Sequence, residues 1–208
     1  MIDLYSWNTP NGQKAAIVLE ELALPYTLHR INIKKGEQFA PEFLKINPNG
    51  KIPAIIDHDD GKAIRVFESG AILIYLAEKT GKLLASSGAA RTEALSWTFW
   101  QTGGLGPMLG QWGHFMNAAP EKIPYAIKRF QDEAIRLLNV LNQHLNTNEY
   151  LAGEFSIADI ANVTWTSAGM EQMEKSNPAL IAHMDAIRRW VDVVSKRPAV
   201  QKGFEVLK

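Results

Sequence analysis

Patterns typical of β-strands occur only in the first third of this chain, and every later pattern is helical. Short apolar runs at residues 2–5, 26–33, 53–57 and 63–67 predict strands. Beyond residue 88, apolar residues recur at steps of three and four, which is typical of helices packed on one face. The chain is therefore expected to form a small mixed α/β domain followed by an all-α domain.

Turn and helix signals order the first domain. Thr9-Pro10-Asn11-Gly12 follows the first strand and precedes a helical pattern, and Pro41 suits the first position of a short helix. Asp59-Asp60-Gly61 separates the last two strands and predicts a hairpin. Glu68-Ser69-Gly70 then begins another helix, so the predicted order is βαβα followed by ββα.

A break at residues 81–88 separates the two predicted domains, which span residues 1–82 and 89–208. Two long helical patterns support the second domain: Ile127, Phe130, Ala134, Leu138, Leu141 and Leu145, and Leu180, Met184, Ile187, Val191 and Val194. A further helix is predicted from Ile157, because Ser156 and Asp159 have the spacing of a capping box. We assign Asp159 this structural role and no chemistry.

Composition excludes several classes of protein. The 22 basic and 22 acidic residues give a net charge of +0, so binding of nucleic acid by bulk charge is not expected. With 0 cysteines, the chain has no disulfide and no thiolate of its own, so any sulfur chemistry must use the sulfur of a ligand. The histidines show no spacing suited to a metal, and we expect none.

No stretch of about 18 consecutive apolar residues occurs, so no membrane association is expected. The first residues have neither a basic segment nor an apolar segment of a secretory signal. We therefore expect a cytoplasmic protein.

The combined motifs resemble a known family over nearly the whole chain. Residues 49–54 (NGKIPA), residues 67–72 (FESGAI) and the Ser156 to Asp159 box are similar to cytosolic glutathione transferases. The segments 9–12, 41–44 and 103–108 more narrowly resemble the bacterial nu-class enzymes with disulfide-bond reductase activity, and also the fungal nitrogen-regulator homologues. The resemblance implies a thioredoxin-like N-terminal domain and glutathione as co-substrate.

The resemblance also implies which residues bind glutathione. Pro53, with a cis peptide bond, would let the Ile52 backbone pair with the peptide groups of the ligand. Ser69 and the start of its helix suit the γ-glutamyl carboxylate, and Glu68 suits the adjacent ammonium. Lys51 and Gln38 are the candidates for the glycyl carboxylate. Taken singly, each residue also has an ordinary structural interpretation, such as capping for Ser69 and solvation for Lys51.

Thr9 and Asn11 are the predicted catalytic residues, because the resembling subgroup uses them to hold the glutathione sulfur. Both donate hydrogen bonds and neither is a useful general base, so they would stabilise a thiolate electrostatically. The alternative for Thr9 is a purely structural role as helix N-cap before Pro10. Tyr5 and Ser6 are the fallback candidates.

A pocket for the second substrate is expected in the helical domain. Its candidate residues have helical spacing and are Met108, Gln111, Trp112 and Phe115. Core packing is the alternative for each of them. The resemblance suggests that Arg129 contacts a carboxylate of glutathione, in its own or a partner subunit, whereas an i,i+4 pair with Glu133 is the structural alternative.

The sequence favours an enzyme that uses bound glutathione or glutathione disulfide to reduce a small disulfide, with transferase activity on electrophiles and peroxidase activity as side reactions. The competing hypothesis is a non-catalytic glutathione-binding or regulatory module, since the same fold serves such proteins. The resemblance further implies a two-fold homodimer.

Overall fold

The computed structural model describes the backbone of residues 1–208 and every side chain except that of Asp60. Packing divides the chain into two compact units, one formed by Met1–Ser86 with Ser195–Lys208 and the other by Ser87–Val194. The last residues of the chain, Ser195–Lys208, therefore belong to the first unit. This differs from the predicted span of 89–208 for the helical domain.

A four-stranded mixed sheet forms the centre of the first unit. Its strands are β1 (Ile2–Ser6), β2 (Tyr26–Arg30), β3 (Ala54–Asp57) and β4 (Ile64–Phe67), in the spatial order β2-β1-β3-β4. β1 is parallel to β2 and antiparallel to β3, and β3 and β4 form the predicted antiparallel hairpin. Leu4, opposite both Leu28 and Ile55, is fully buried. The predicted α/β fold of this domain is confirmed.

The second strand is shorter than the sequence predicts. Its pattern extends to residue 33, but the strand ends at Arg30. The Asn32 side chain accepts hydrogen bonds from the backbone N–H groups of Lys34 and Lys35 and begins a 3₁₀ turn over Ile33–Lys35. Such local side-chain bonding by asparagine competes with strand pairing.

The helices follow in chain order, and the last of them belongs to the first unit. They are α1 (Pro10–Glu21), α2 (Pro41–Ile46), α3 (Ser69–Thr80), α4 (Gly88–Trp100), α5 (Gly106–Gly113), α6 (Pro124–Leu145), α7 (Ile157–Ser176), α8 (Asp185–Ser195) and α9 (Pro198–Glu205).

Close backbone approach at α1 depends on two glycines. A Cβ on Gly12 would lie 2.1 Å from the Trp7 carbonyl oxygen, so only glycine allows α1 to begin this close to the preceding loop. A Cβ on Gly203 would lie 2.7 Å from Cα of Ile17, so glycine also lets α9 pack against α1. These contacts hold α1 between the β1–α1 loop and the last helix of the chain.

The second unit is helical, as predicted, but its helices are not all regular. Two π-helical segments, Gln101–Leu105 and His114–Ala118, flank α5. The capping box at the start of α7 is confirmed: Ser156 Oγ accepts from the Ala158 N–H, and the Asp159 carboxylate accepts from the Ser156 N–H at 3.0 Å. Nothing in the sequence pattern indicated the π-helical turns.

Within the described part of the chain, no helix has the length and apolar character needed to cross a bilayer. Among the described side chains, no group of three or more His, Asp or Glu is arranged to hold a metal ion.

Candidate functional site

A polar cavity of about 180 Å³ lies in the first unit, where the start of α1, the segment before β3 and the β4–α3 junction come together. The structure brings predicted residues from all three segments into its wall. The lining residues are Asn11, Asn47, Asn49, Lys51, Ile52, Pro53, Glu68 and Ser69. Sequence reasoning identified all of these except Asn47 and Asn49.

One wall of the cavity is the junction between β4 and α3. Glu68 is the N-cap residue of α3, and its φ of 72° and ψ of 121° are values that residues other than glycine rarely adopt. Ser69, the first residue of α3, is 6% exposed. The first N–H groups of a helix have no partners within it, so this wall offers donors at the positive end of the helix dipole beside one carboxylate.

The opposite wall is the loop that leads into β3. Asn47 is buried and fixes this loop, because its Nδ2 donates to the Lys51 carbonyl at 2.6 Å and its Oδ1 accepts from the Asn49 N–H at 2.9 Å. The Ile52–Pro53 peptide bond is cis, which confirms that prediction. Asn49 Nδ2 also donates to Glu68 Oε1 at 3.4 Å, so a hydrogen bond joins the two walls.

A buried ammonium lies behind Asn11 and Ser69. Lys14, on the first turns of α1, is 1% exposed, and its Nζ lies 2.9 Å from Asn11 Oδ1 and 3.4 Å from Ser69 Oγ. Burial lowers the pKa of Lys14 to about 7, and the charge of Glu68 acts in the opposite direction. Lys14 was not among the predicted site residues, although its position next to the apolar run at residues 15–19 was a signal that it is buried.

Thr9 and Gln38 are predicted site residues that do not line the cavity. Thr9 is the N-cap of α1, and its Oγ1 accepts from the Gly12 N–H at 3.1 Å. The structural alternative for Thr9 is therefore realised, while its hydroxyl hydrogen is not used by that bond. Gln38 lies beside Gly50, and its buried Oε1 has no hydrogen-bond partner among the described side chains and backbone.

The fallback candidates, Tyr5 and Ser6, are held in the sheet. The Tyr5 ring stacks on His29 with centroids 4.6 Å apart, and burial raises the pKa of its hydroxyl. Ser6 is 0% exposed. Neither side chain lines the cavity.

The four residues predicted for a second-substrate pocket have different environments. Met108 lines a cavity of about 920 Å³ along α6, and Phe115 stacks on Phe130 of that helix with centroids 5.5 Å apart. Gln111 is exposed, whereas Trp112 is 0% exposed and belongs to the core of the helical unit. Consecutive helical positions point about 100° apart, so Gln111 and Trp112 do not share a face.

Arg129 is exposed on α6 and lines the same cavity as Met108. Glu133, its predicted i,i+4 partner, instead accepts two hydrogen bonds from Arg136, at 2.7 and 2.8 Å. The Arg136 guanidinium is the main cause of the lowered pKa of Glu133, and Arg129 contributes through its charge alone. Arg129 thus makes no ion pair among the described side chains.

Family models match both parts of the chain. The model described as the N-terminal domain of glutathione S-transferase matches residues 1–78, and the C-terminal domain model matches residues 112–198. The disulfide-bond oxidoreductase YfcG of Escherichia coli (strain K12) is 51% identical over 208 residues, covering 98% of this chain and 94% of that protein.

Solved structures show the same likeness over the whole chain. A glutathione transferase from Burkholderia graminis, solved with two glutathione molecules bound per subunit, has a TM-score of 0.94 and 43% identity and covers 100% of this chain and 88% of its own. One from Pseudomonas putida, with one glutathione disulfide bound per subunit, has a TM-score of 0.94 and 39% identity and covers 100% of this chain and 92% of its own.

Proposed function

This chain belongs to the glutathione S-transferase family, and we propose that it is an enzyme that reduces disulfide bonds with glutathione. The observation that carries the proposal is the polar cavity, where an amide, a helix start and a carboxylate meet. Those groups complement the thiol, the γ-glutamyl carboxylate and the ammonium of glutathione. The name of its relative YfcG supports the reaction type.

The γ-glutamyl end of glutathione would bind at the start of α3. The Ser69 hydroxyl and the unpaired helix N–H groups suit its carboxylate, and Glu68 suits its ammonium. The Ile52 backbone is proposed to pair with the peptide groups of the ligand, next to Pro53. Lys51 and Gln38 are proposed to hold the glycyl carboxylate, through the donors of the Lys51 ammonium and of the Gln38 side-chain amide nitrogen.

Asn11 and Thr9 are proposed to stabilise the glutathione thiolate. Asn11 lines the cavity and its amide nitrogen is a donor; Thr9 keeps a hydroxyl hydrogen, since its oxygen is the acceptor in the helix cap. Lowering a thiol pKa by two units from about 8.5 requires about 2.7 kcal/mol. One or two hydrogen bonds to an anion, at about 1.5–3 kcal/mol each, supply that amount.

The reaction is thiol–disulfide exchange between ligands, because the chain has 0 cysteines. The glutathione thiolate attacks one sulfur of the substrate disulfide, a new S–S bond forms, and the other sulfur leaves as a thiolate. A second glutathione then attacks the mixed disulfide, which yields glutathione disulfide and the second product thiol. Two electrons pass from two glutathione molecules to the substrate, and each leaving thiolate takes up a proton.

We place the second substrate along α6. Met108 and Phe115 offer apolar contact there, and the exposed Arg129 suits a carboxylate of a second glutathione or of a mixed disulfide. Gln111, which is exposed, remains a candidate contact for this substrate, whereas Trp112 is fully buried and is proposed to act only by packing within the helical unit.

Titration of the thiolate absorbance of bound glutathione tests the active centre. We expect Asn11→Ala to raise the thiol pKa by one to two units, because an amide donor to the anion is lost. Thr9→Ala is expected to have a smaller effect on the pKa and to destabilise α1 as well. If only Tyr5→Phe or Ser6→Ala shifts the titration, the assignment of Asn11 and Thr9 is wrong.

The alternative, a non-catalytic glutathione-binding module, makes a different prediction. Such a protein would bind glutathione in calorimetry but would not accelerate reduction of a small dialkyl disulfide above the solution rate. Turnover that follows the thiolate titration would exclude it.

A homodimer in the cytoplasm is the remaining part of the proposal. The net charge of +0 gives no overall repulsion between two copies, and the cytoplasm keeps the glutathione pool reduced. Sedimentation at micromolar concentration should show a dimer. A monomer would refute the assembly and would restrict Arg129 to the site of its own subunit.

A further inference from the structure

The buried ammonium of Lys14 has no role in the mechanism described so far. A lysine that is 1% exposed is unusual, because taking a charge out of water costs free energy unless partners compensate for it. Its Nζ donates hydrogen bonds to Asn11 Oδ1, at 2.9 Å, and to Ser69 Oγ, at 3.4 Å. Both are residues of the proposed glutathione site, and they belong to different helices.

We propose that Lys14 is a positioning residue that orients the Asn11 amide and the Ser69 hydroxyl so that both direct hydrogen-bond donors at glutathione. This inference deepens the proposed function and rests on it for the identity of the ligand. The orientation itself belongs to the free protein and can be tested without any ligand.

The chemistry of an ammonium fixes the Asn11 orientation. An ammonium has three donors and no acceptor, so only the oxygen of the Asn11 amide can face it at hydrogen-bond distance. The amide nitrogen must then lie on the other side of the group. The positive charge of the Lys14 ammonium next to the Asn11 oxygen also polarises the amide and strengthens its N–H donors. While Lys14 is protonated, Asn11 is thereby held as a donor and does not turn its oxygen toward a thiolate.

Lys14 fixes the orientation of the Ser69 hydroxyl in the same way. Its oxygen is the acceptor of the Lys14 bond, so its own hydrogen remains available for another acceptor. A carboxylate at the start of α3 is such an acceptor. One cation thus prepares the donor for the sulfur and the donor for the γ-glutamyl carboxylate, which couples the two ends of the site.

The charges around Lys14 agree with this role. The negative charge of Glu68 raises the pKa of Lys14. Glu68 lies at the N-terminus of α3, next to Ser69. Burial outweighs that effect and brings the pKa of Lys14 to about 7. A bound anion would favour the ammonium further. The orientation of Asn11 is therefore expected to depend on pH in the free protein.

The first experiment uses the ligand-free protein. The side-chain amide resonances of Asn11, in ¹⁵N-labelled protein, should shift with pH with a midpoint near 7 in the wild type. That transition should be absent in Lys14→Met and retained in Lys82→Met, which removes an exposed lysine. Asn11 resonances that show the same pH response in wild type and Lys14→Met would overturn the proposal.

The second experiment is a double-mutant cycle on the thiol pKa of bound glutathione. Lys14→Met should raise that pKa by about one unit, and Lys14→Arg, which keeps the charge, should restore part of the shift. In the Asn11→Ala background, Lys14→Met should have almost no further effect. A full effect in that background would mean that the ammonium acts on the sulfur directly, and would overturn the positioning role.

The two experiments separate the two proposals. Failure of the wild type to bind glutathione would refute the proposed function, while the amide titration would still test the orientation of Asn11. If Lys14→Met does not give the near-ultraviolet circular dichroism of the folded protein, Lys14→Gln, which keeps a donor without the charge, takes its place in both. An unchanged Asn11 titration in a folded Lys14→Gln protein would equally overturn the proposal.

Discussion

Arg197 and Glu21 join the two ends of the first unit. Arg197 Nε donates to Glu21 Oε1 at 2.7 Å, and Nη2 donates to Oε2 at 2.8 Å. Glu21 is the last residue of α1 and Arg197 is the N-cap of α9, so the bidentate pair spans 176 positions of sequence. The Glu21 side chain is only 8% exposed, which limits solvent screening of the pair.

Arg197→Met should lower the free energy of unfolding by about 1–3 kcal/mol, because a carboxylate with little exposure loses a bidentate partner. Urea unfolding followed by circular dichroism measures the change. Lys202→Met is the matched control, since it removes an ion pair between the same two helices to a carboxylate of similar exposure, that of Glu20 at 10%. Here the lysine is 69% exposed, and the Glu20 carboxylate keeps the Tyr26 hydroxyl as a donor. It should cost no more than about 1 kcal/mol. Equal losses in the two variants would show that the bidentate geometry adds nothing.

Glu68→Gly should increase the stability of the protein while it weakens glutathione binding. Glycine adopts a φ of 72° without the strain of a side chain, so the variant should be more stable by up to about 1 kcal/mol. Glutathione affinity should fall about tenfold, because the carboxylate proposed to hold the ligand ammonium is lost. Thermal unfolding and calorimetry measure the two effects.

Glu68→Ala is the control for that variant, since it removes the carboxylate and keeps the strained Cβ. We expect the same loss of affinity without the gain in stability. Unchanged affinity in either folded variant would remove Glu68 from the binding site.

Asp159→Asn should destabilise the helical unit by about 2–4 kcal/mol. The carboxylate is fully buried, and it accepts hydrogen bonds from the backbone of Leu151 and Ser156 and from Trp190 Nε1 at 2.9 Å. An amide keeps one acceptor oxygen and places an N–H group against these donors. Unfolding followed by tryptophan fluorescence measures the loss. Ser156→Ala removes only the cap and should cost about 1 kcal/mol; a loss as large as that of Asp159→Asn would argue against the wider network.

The pH dependence of stability should contain a contribution from Lys14. Its pKa is about 7 in the folded protein and 10.5 as the reference value, so between these pH values the unfolded chain binds more protons. Stability from this group therefore rises with pH across that window and is constant below pH 7, with a slope of at most about 1.4 kcal/mol per unit.

The difference in unfolding free energy between wild type and Lys14→Met isolates that contribution, because the pH-dependent contributions of the other titratable groups are the same in both proteins and cancel. In urea titrations, the unfolding free energy of the wild type should increase relative to that of Lys14→Met from pH 7 to pH 9. A difference that is independent of pH would mean that the Lys14 pKa is not lowered by folding.

Local sequence determined most of the elements and part of the site. Turn residues at 59–61 and helix-start signals at Pro10 and Ser69 act over a few residues, so they could be identified without the fold. The capping box at Ser156 and Asp159 is equally local and was predicted in full. The limits of β2 were not, because Asn32 offered the backbone a competing set of hydrogen bonds.

Only the tertiary structure determined which of these segments come together in space. Asn11, Asn49 and Glu68 line one cavity because the β1–β3–β4 pairing brings three distant segments together. Lys14 lies on a buried part of α1, which packs against α3, and its Nζ donates hydrogen bonds to Asn11 and to Ser69 of α3. The return of α9 to α1 depends on Gly203 and Arg197. Helical periodicity predicts which face of a helix is buried. It does not predict which element packs against that face, because that depends on contacts between residues far apart in the sequence.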